Sequence, residues 1–287
     1  VVMNTLFVGV LIVGCLHAGL WLVRATVAGD WKRPPPSKEA KRIYRRWRPS
    51  YVFYHLVLMT SVLMLAMTGL PLHFADRPWA IKVMNLFGGA GAAGYIHRVF
   101  AVMMVSLVVV YIIEIGYRLI AKREKGIFFG PNTMLPRVKD LQDVIGNFRW
   151  FLFQGERPKY DRWTYWEKFD FWAVFWGTFV IGVSGLMLWF PEQATRFVPG
   201  WFLNAAVVIH GIEALLDIAF IFTVHVFHAN LRPDKFPMDP LFYTGRFDEH
   251  EFRVDRPLEY ERAIREGTIE SMMARTPRAR TRVIAYV

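Results

Sequence analysis

An all-α membrane protein with five spanning helices follows from the way apolar and charged residues are divided along this chain. Apolar residues make up 54% of its 287 residues, aromatics 16% and charged residues 21%, and mean hydropathy is +0.25. A soluble domain carries about a quarter charged residues, dispersed over its surface. Here the charges are bunched, leaving five nearly uncharged runs. Each is long enough for a bilayer core of about 30 Å, which takes roughly 20 helical residues. None alternates in polarity over about ten residues, as barrel strands do. The same composition excludes a disordered chain, a collagen-like chain and a small secreted scaffold. The single cysteine, Cys15, excludes internal disulfides, thiolate-held iron–sulfur clusters and CxxCH haem attachment.

The first run, Thr5–Val27, lacks a basic n-region and is too long for a signal peptide, so residues 1–28 read as a retained transmembrane helix. Residues 29–50 read as a basic cytoplasmic linker. There Lys32, Arg33, Lys38, Lys41, Arg42, Arg45, Arg46 and Arg48 are opposed only by Asp30 and Glu39. Spans Tyr51–Phe74, Tyr95–Ala121, Phe169–Phe190 and Phe202–His228 form a four-helix core over 51–228. A second basic stretch, Lys122 to Arg162, separates the middle two, and residues 229–287 read as an arginine-rich cytoplasmic tail. The other loops carry little charge, with Arg77 and Lys82 in one and Arg196 in the other. Positive loops stay in the cytoplasm, so the amino terminus is expected outside and the carboxyl terminus inside a bacterial or archaeal cytoplasmic membrane. The net charge of +11 then needs no nucleic acid. Membrane lipid or a docked subunit is the simpler partner.

Ionisable groups inside a membrane mark function by default. His55 falls one turn inside span two, His97 at the start of span three, and His210 and His225 within span five. The last two are 15 residues apart, roughly 22 Å along an α-helix. Neutral imidazoles from two facing helices give haem iron both axial ligands. Depth pairs His55 with His225 and His97 with His210, which predicts two stacked b-type haems. His228, one turn beyond His225, is the rival inner ligand, and His17 in span one is another rival with a packing or quinone-edge role. His73 and His250 read as ordinary polar residues. Gly69, Gly177, Gly182, Gly185 and Gly211 would let a flat macrocycle approach a helix. Arg98 and the arginines before His55 could hold haem propionates.

Four stretches resemble a known family: YHLVLMTSVLMLAMTGLPLHF (Tyr54–Phe74), YIHRVFAV (Tyr95–Val102), KYDRWTYWEKFDFWAVFWGTFVIGVSGLMLWF (Lys159–Phe190) and HGIEALLDIAFIFTVHVFHANLRPDKFPMD (His210–Asp239). They are similar to the di-haem cytochrome b subunits of respiratory formate dehydrogenases, nickel–iron hydrogenases and thiosulfate reductases. The resemblance implies one ligand from each of the first two core helices and two from the last: His55, His97, His210 and His225. Close relatives often space the last pair one residue nearer, and Thr5–Val27 has no counterpart in the simplest members. The tail LRPDKFPMDPLFYTGRF resembles members encoded beside multihaem cytochromes c.

The resemblance implies electron exchange between a quinone (menaquinone or ubiquinone) and an iron–sulfur or multihaem cytochrome c subunit. Quinone is expected on the cytoplasmic side near the inner haem, where Asp161, Glu167, Lys168 and Asp170 cluster before or within the start of span four. Each could equally be an interfacial anchor or a structural ion pair. Glu213 and Asp217 follow His210 by about one and two turns and could line an outer proton path. No Ser–His–Asp grouping, phosphate loop or HExxH motif is present, so no independent catalytic motif is read here. The reading is an electron-transferring subunit of an oxidoreductase. The alternative is a cofactor-free anchor or transporter whose histidines form polar or proton networks.

Overall fold

A computed structural model describes residues 2–29 and 42–274. Lys32, Arg33, Lys38, Lys41, Asp30, Glu39 and the arginine-rich segment beyond Ala274 lie outside the described residues.

The elements run α1 (Val2–Ala28), β1 (Ile43–Arg45), α2 (Pro49–His73), α3 (Pro78–Leu86), α4 (Ala90–Ile120), α5 (Val138–Phe151), α6 (Tyr165–Trp189), α7 (Pro191–Ala194) and α8 (Trp201–Phe220). After α8 come α9 (Leu241–Thr244), β2 (Arg246–Asp248), α10 (Glu249–Asp255), α11 (Pro257–Arg265) and β3 (Met273–Ala274). Five helices are apolar and long enough to cross a membrane: Phe7–Ala28 within α1, α2, α4, α6, and α8 continued to Leu231. These match the five runs read from the sequence, with ends displaced by a few residues.

Local chemistry accounts for those ends. Pro49 opens α2, where its missing N–H costs no helical bond. A capping box starts α6. The Glu167 carboxylate accepts from the Thr164 backbone N–H at 2.8 Å, and the Thr164 hydroxyl accepts from the Glu167 N–H at 3.3 Å. Gly88 and Gly89, at φ +91° and +96°, turn the chain from α3 into α4. Several hydroxyls inside the spans bond back one turn, as Ser61 does to the Val57 carbonyl at 2.8 Å, and those are satisfied without water. The sequence reading treated span five as uniform α-helix. The structure changes to π winding over Ile221–His225 and Phe227–Leu231, which lodges additional residues in the same length of helix.

The chain forms two compact units. The first comprises Val1–Gly14, Tyr54–Arg118 and Trp172–Thr223. Its apolar side chains face outward, with Ile113 64% and Phe179 67% exposed, as helices solvated by lipid require. The second comprises Cys15–Phe53, Leu119–Phe171 and Val224–Val287. It has an aromatic core of Trp21, Trp150, Phe151, Tyr160, Trp166 and Phe227. The stretches read as linker and tail are not plain coil where they are described. They form a three-stranded sheet in the order β2-β1-β3, antiparallel, with Tyr44 opposite Phe247 and Met273. An all-α description therefore holds for the spans and omits this sheet. Beside it Tyr44, Phe247, Phe252 and Tyr260 form a second cluster.

Buried ion pairs stitch the second unit. Arg46 reaches Glu259 at 3.1 Å and Glu167 at 3.4 Å, Arg162 reaches Glu259 at 2.6 Å, and Arg256 reaches Glu167 at 2.7 Å. Lys235 stands among Asp239 (2.9 Å), Glu251 (2.5 Å) and Asp255. Burial opposes the Lys235 charge, but the three carboxylates outweigh it and hold its pKa above the ordinary lysine value. Burial likewise opposes the Asp255 charge, and Lys235 with Arg232, Arg256 and Arg157 pulls that carboxyl below the usual range. One carboxylate oxygen from each of the three acids lies within 4.8 Å of the others, and all three share the Lys235 ammonium.

Candidate functional site

Within the first unit, the structure brings His97 on α4 and His210 on α8 together in an edge-to-face arrangement, with ring centroids 6.3 Å apart and planes at 67°. Their tautomers follow from their partners. The Thr68 hydroxyl donates its proton to the Met64 carbonyl at 2.7 Å, so at 3.0 Å it accepts from His97 Nδ1. His210 Nδ1 lies 3.0 Å from the Ile181 carbonyl, which can only accept. Ser184 Oγ lies 3.3 Å from the same nitrogen. Both Nδ1 atoms therefore carry the hydrogen, and both Nε2 atoms keep the lone pair that binds a metal.

Two glycines make room for these rings. A Cβ on Gly69 would lie 2.9 Å from His97 Cε1, and one on Gly185 would lie 3.0 Å from His210 Cε1. The sequence predicts that these glycines admit a macrocycle; the structure shows which side chains stand against them. Gly69 and Gly185 clear ligand imidazoles, Gly211 clears the His73 ring, Gly177 clears the Asp217 carboxylate, and Gly182 meets Val105. Four of the five relieve the close approach of a side chain from another helix, whereas a Cβ on Gly182 would meet Val105 Cγ2 at an ordinary 3.7 Å. The sequence reading missed Thr68 and Ser184. The signal was available, because MTGL and VSGL both place a hydroxyl beside the glycine at matching positions of α2 and α6.

The residues present fit a bis-imidazole haem at this pair. Two metal–nitrogen bonds of about 2 Å, plus the depth of each ring, place imidazole centroids roughly 6 Å apart, as found. Arg98 lies over the Trp189 ring at 5.5 Å from its centroid. His73, read as an ordinary polar residue, packs at Gly211, next in sequence to His210. Glu213 is buried and accepts from Trp176 Nε1 at 2.9 Å.

The second unit contains His225, His228 and His17, whereas His55 belongs to the first. His225 Nδ1 lies 2.9 Å from Asp170 Oδ2. A carboxylate only accepts, so this nitrogen carries the hydrogen and Nε2 is the ligand-competent one. His228 is buried, stacked on Trp166 at 5.2 Å and 16°, with its centroid 4.9 Å from that of His17. His17 bonds the Tyr165 hydroxyl through Nε2. Among the described residues the Nδ1 atoms of His17 and His228 have no hydrogen-bond partner. His17 and His228 therefore pack in an aromatic box, while His225 has the oriented geometry of a ligand.

The four residues singled out for quinone all hold partners. Asp161 accepts from Arg262 at 2.5 Å, Glu167 pairs with Arg256 and Arg46, Lys168 reaches Asp140 at 2.8 Å, and Asp170 holds His225.

Hydroxyl removal tests the clamp on the outer pair. Thr68→Val, nearly equal in shape, should lower metal-centre affinity at His97 by about 10- to 100-fold, the usual cost of losing an orienting partner. Haem titration of the stripped protein measures it, and an unchanged affinity would deny Thr68 that role.

No curated protein matches the chain. A family model described as prokaryotic cytochrome b561 matches residues 46–233, well over half of the chain and inclusive of His55, His97, His210 and His225. The chain, with its five membrane-spanning helices, belongs to the prokaryotic cytochrome b561 family.

Proposed function

We propose that this protein is a di-haem cytochrome b subunit that carries electrons between a membrane quinone and a partner redox subunit of a respiratory oxidoreductase. The observation that carries the reading is the facing pair His97 and His210, each with Nδ1 engaged and each seated on a glycine. Those two residues would hold one haem, and His55 with His225 the other. Haem b between two imidazoles supplies reversible one-electron transfer.

The chain's own groups do the rest. Thr68, Ile181 and Ser184 fix the rings of the outer pair. Asp170 orients His225 and raises its basicity, which favours His225 over His228 as inner ligand. Arg98, held over Trp189, is the cation proposed for a haem carboxylate. Asp161, Glu167 and Lys168, fixed by ion pairs, shape the entry to α6. In this proposal they bound a quinone region instead of carrying protons freely. Menaquinone or ubiquinone is the partner on one side, and an iron–sulfur or multihaem cytochrome c subunit on the other. The basic segments face the cytoplasm, which places the amino terminus outside.

Purified protein decides between this reading and a cofactor-free anchor or transporter. Low-spin b-type absorbance at about two haems per chain is expected. A colourless, correctly folded preparation would sink the proposal. Within it, His225→Ala should abolish the inner-haem signal and His228→Ala should leave the spectrum intact, checked by low-temperature absorbance. The reverse pattern would move the inner ligand to His228.

A further inference from the structure

Three imidazoles in the first unit are each seated on a glycine of another helix, and two of them form the pair described above. His97 rests on Gly69, His210 on Gly185 and His73 on Gly211. The third seat is the tightest of the three. A Cβ on Gly211 would lie 2.7 Å from His73 Cε1 and 2.8 Å from its Nδ1, so any other residue there would displace the ring. His73 is the last residue of α2 and lies one turn beyond Gly69, on the same face of that helix. One face of α2 therefore clears the His97 ring and, a turn later, sends an imidazole to the residue that follows His210. The Phe74 ring stands edge-on to it, with centroids 4.7 Å apart at 89°, which restricts how the imidazole can turn. His73 is nevertheless exposed, so an N–H of its ring is open to a partner from outside the chain.

The chemistry of the expected cofactor says what that partner is. Haem b carries two carboxylate arms, and an ionised carboxylate beside a low-dielectric site is stabilised by N–H donors. Arg98 follows His97 in the chain and lies over Trp189, which accounts for one arm. Gly211 follows His210, and the imidazole seated on it is the matching donor on the side of the second ligand. A ring at the exposed end of a spanning helix suits an arm that stays near water, where its charge is least costly. The next charged residues along the chain, Asp76 and Arg77, pair with each other in solvent at 3.4 Å. We propose, on the di-haem reading above, that His73 donates a ring N–H to one carboxylate of the haem held by His97 and His210. The bond offsets negative charge beside the iron. Such charge favours the ferric form, so offsetting it raises the potential.

Redox titration of the purified full-length protein, followed by low-temperature absorbance, provides the test. The component missing in His210→Ala identifies the haem concerned. His73→Leu keeps bulk on the glycine and removes the donor. It should retain about two haems per chain and lower the reduced-to-oxidised equilibrium constant of the His210-linked haem by roughly tenfold, about 59 mV for one electron. The other haem should titrate unchanged. His73→Ala should match this result and keeps the test open if His73→Leu does not fold. His73→Gln restores an N–H and should recover part of the shift. Arg77→Gln removes an exposed charge from the adjacent turn and should cause none. The resonance Raman band of the carboxylate arms should move in His73→Leu and stay in place in Arg77→Gln. Two haems with an unmoved midpoint in His73→Leu or His73→Ala overturn the proposal. An equal shift in Arg77→Gln does so as well, because the effect would then be long-range charge. Loss of that haem in both His73→Leu and His73→Ala also overturns it, assigning the imidazole to ligation or packing. A folded wild type free of haem would sink the di-haem reading itself, and this proposal with it.

Discussion

His210→Ala is expected to remove one of two haems, taking the pyridine haemochrome yield from about two per chain to about one. His210 is the α8 member of the facing pair, and no other described side chain duplicates its place opposite His97 at 6.3 Å. His73 lies near, but its ring stands against Gly211 and not against Gly69 or Gly185. Gly185→Val should produce the same loss by another route. Its Cβ alone would press on His210 Cε1 at 3.0 Å, and the two further methyl groups leave the ring no room to return. The His55-linked signal should survive both changes. Two haems retained in His210→Ala would remove the basis of the outer pair, and two retained in Gly185→Val would show that the ring tolerates displacement.

Lys235→Met should cost about 3–5 kcal/mol, the usual result of stripping one partner from a buried charge cluster. Lys235 is 5% exposed and is the cation shared by Asp239, Glu251 and Asp255. Methionine keeps the volume of the stem but leaves three carboxyls facing each other out of water. Because Asp255 is held below 3.8 and Lys235 above 10.5, the stability they contribute is complete between those values. It is lost as pH falls through the lowered Asp255 pKa or rises through the raised Lys235 pKa. Hydrogen exchange of α10 and α11 in detergent measures the cost. Arg253→Gln breaks an exposed pair with Glu249 and should leave stability nearly unchanged. Equal effects from the two variants would mean that the Lys235 cluster is solvated.

The spanning helices were legible because a bilayer admits few solutions, and runs of apolar residues announce them. Their ends were less legible. The start of α6 at Tyr165, four residues before the expected Phe169, depends on Glu167 capping Thr164 while paired with arginines distant in sequence. The sheet was invisible for a related reason: strands of two or three residues are too short to display alternation, and their partners come from opposite parts of the chain. At the candidate site, the pairing of His97 with His210 could be read from depth alone. Thr68 and Ser184 were passed over because a hydroxyl in a membrane helix normally bonds back to its own carbonyls, which both also do. Asp161, Glu167 and Lys168 drew attention as polar residues near a membrane, and their polarity is accounted for by ion partners that only the fold brings near.

The central position of β1 sets a schedule for synthesis. Residues 43–45 emerge before both flanking strands, which lie about 200 residues or more further along at 246–248 and 273–274. At translation rates of about 5–20 residues per second, the intervening roughly 200 residues impose a wait of about 10–40 s. Through that interval the strand has two open edges, the condition that invites pairing with other nascent chains. Arg42 and Arg45 supply charge at those edges and discourage it. Four membrane spans must be laid down before the strand meets its first partner, so assembly of the sheet reports that translation has passed Ala274 with the intervening helices already made.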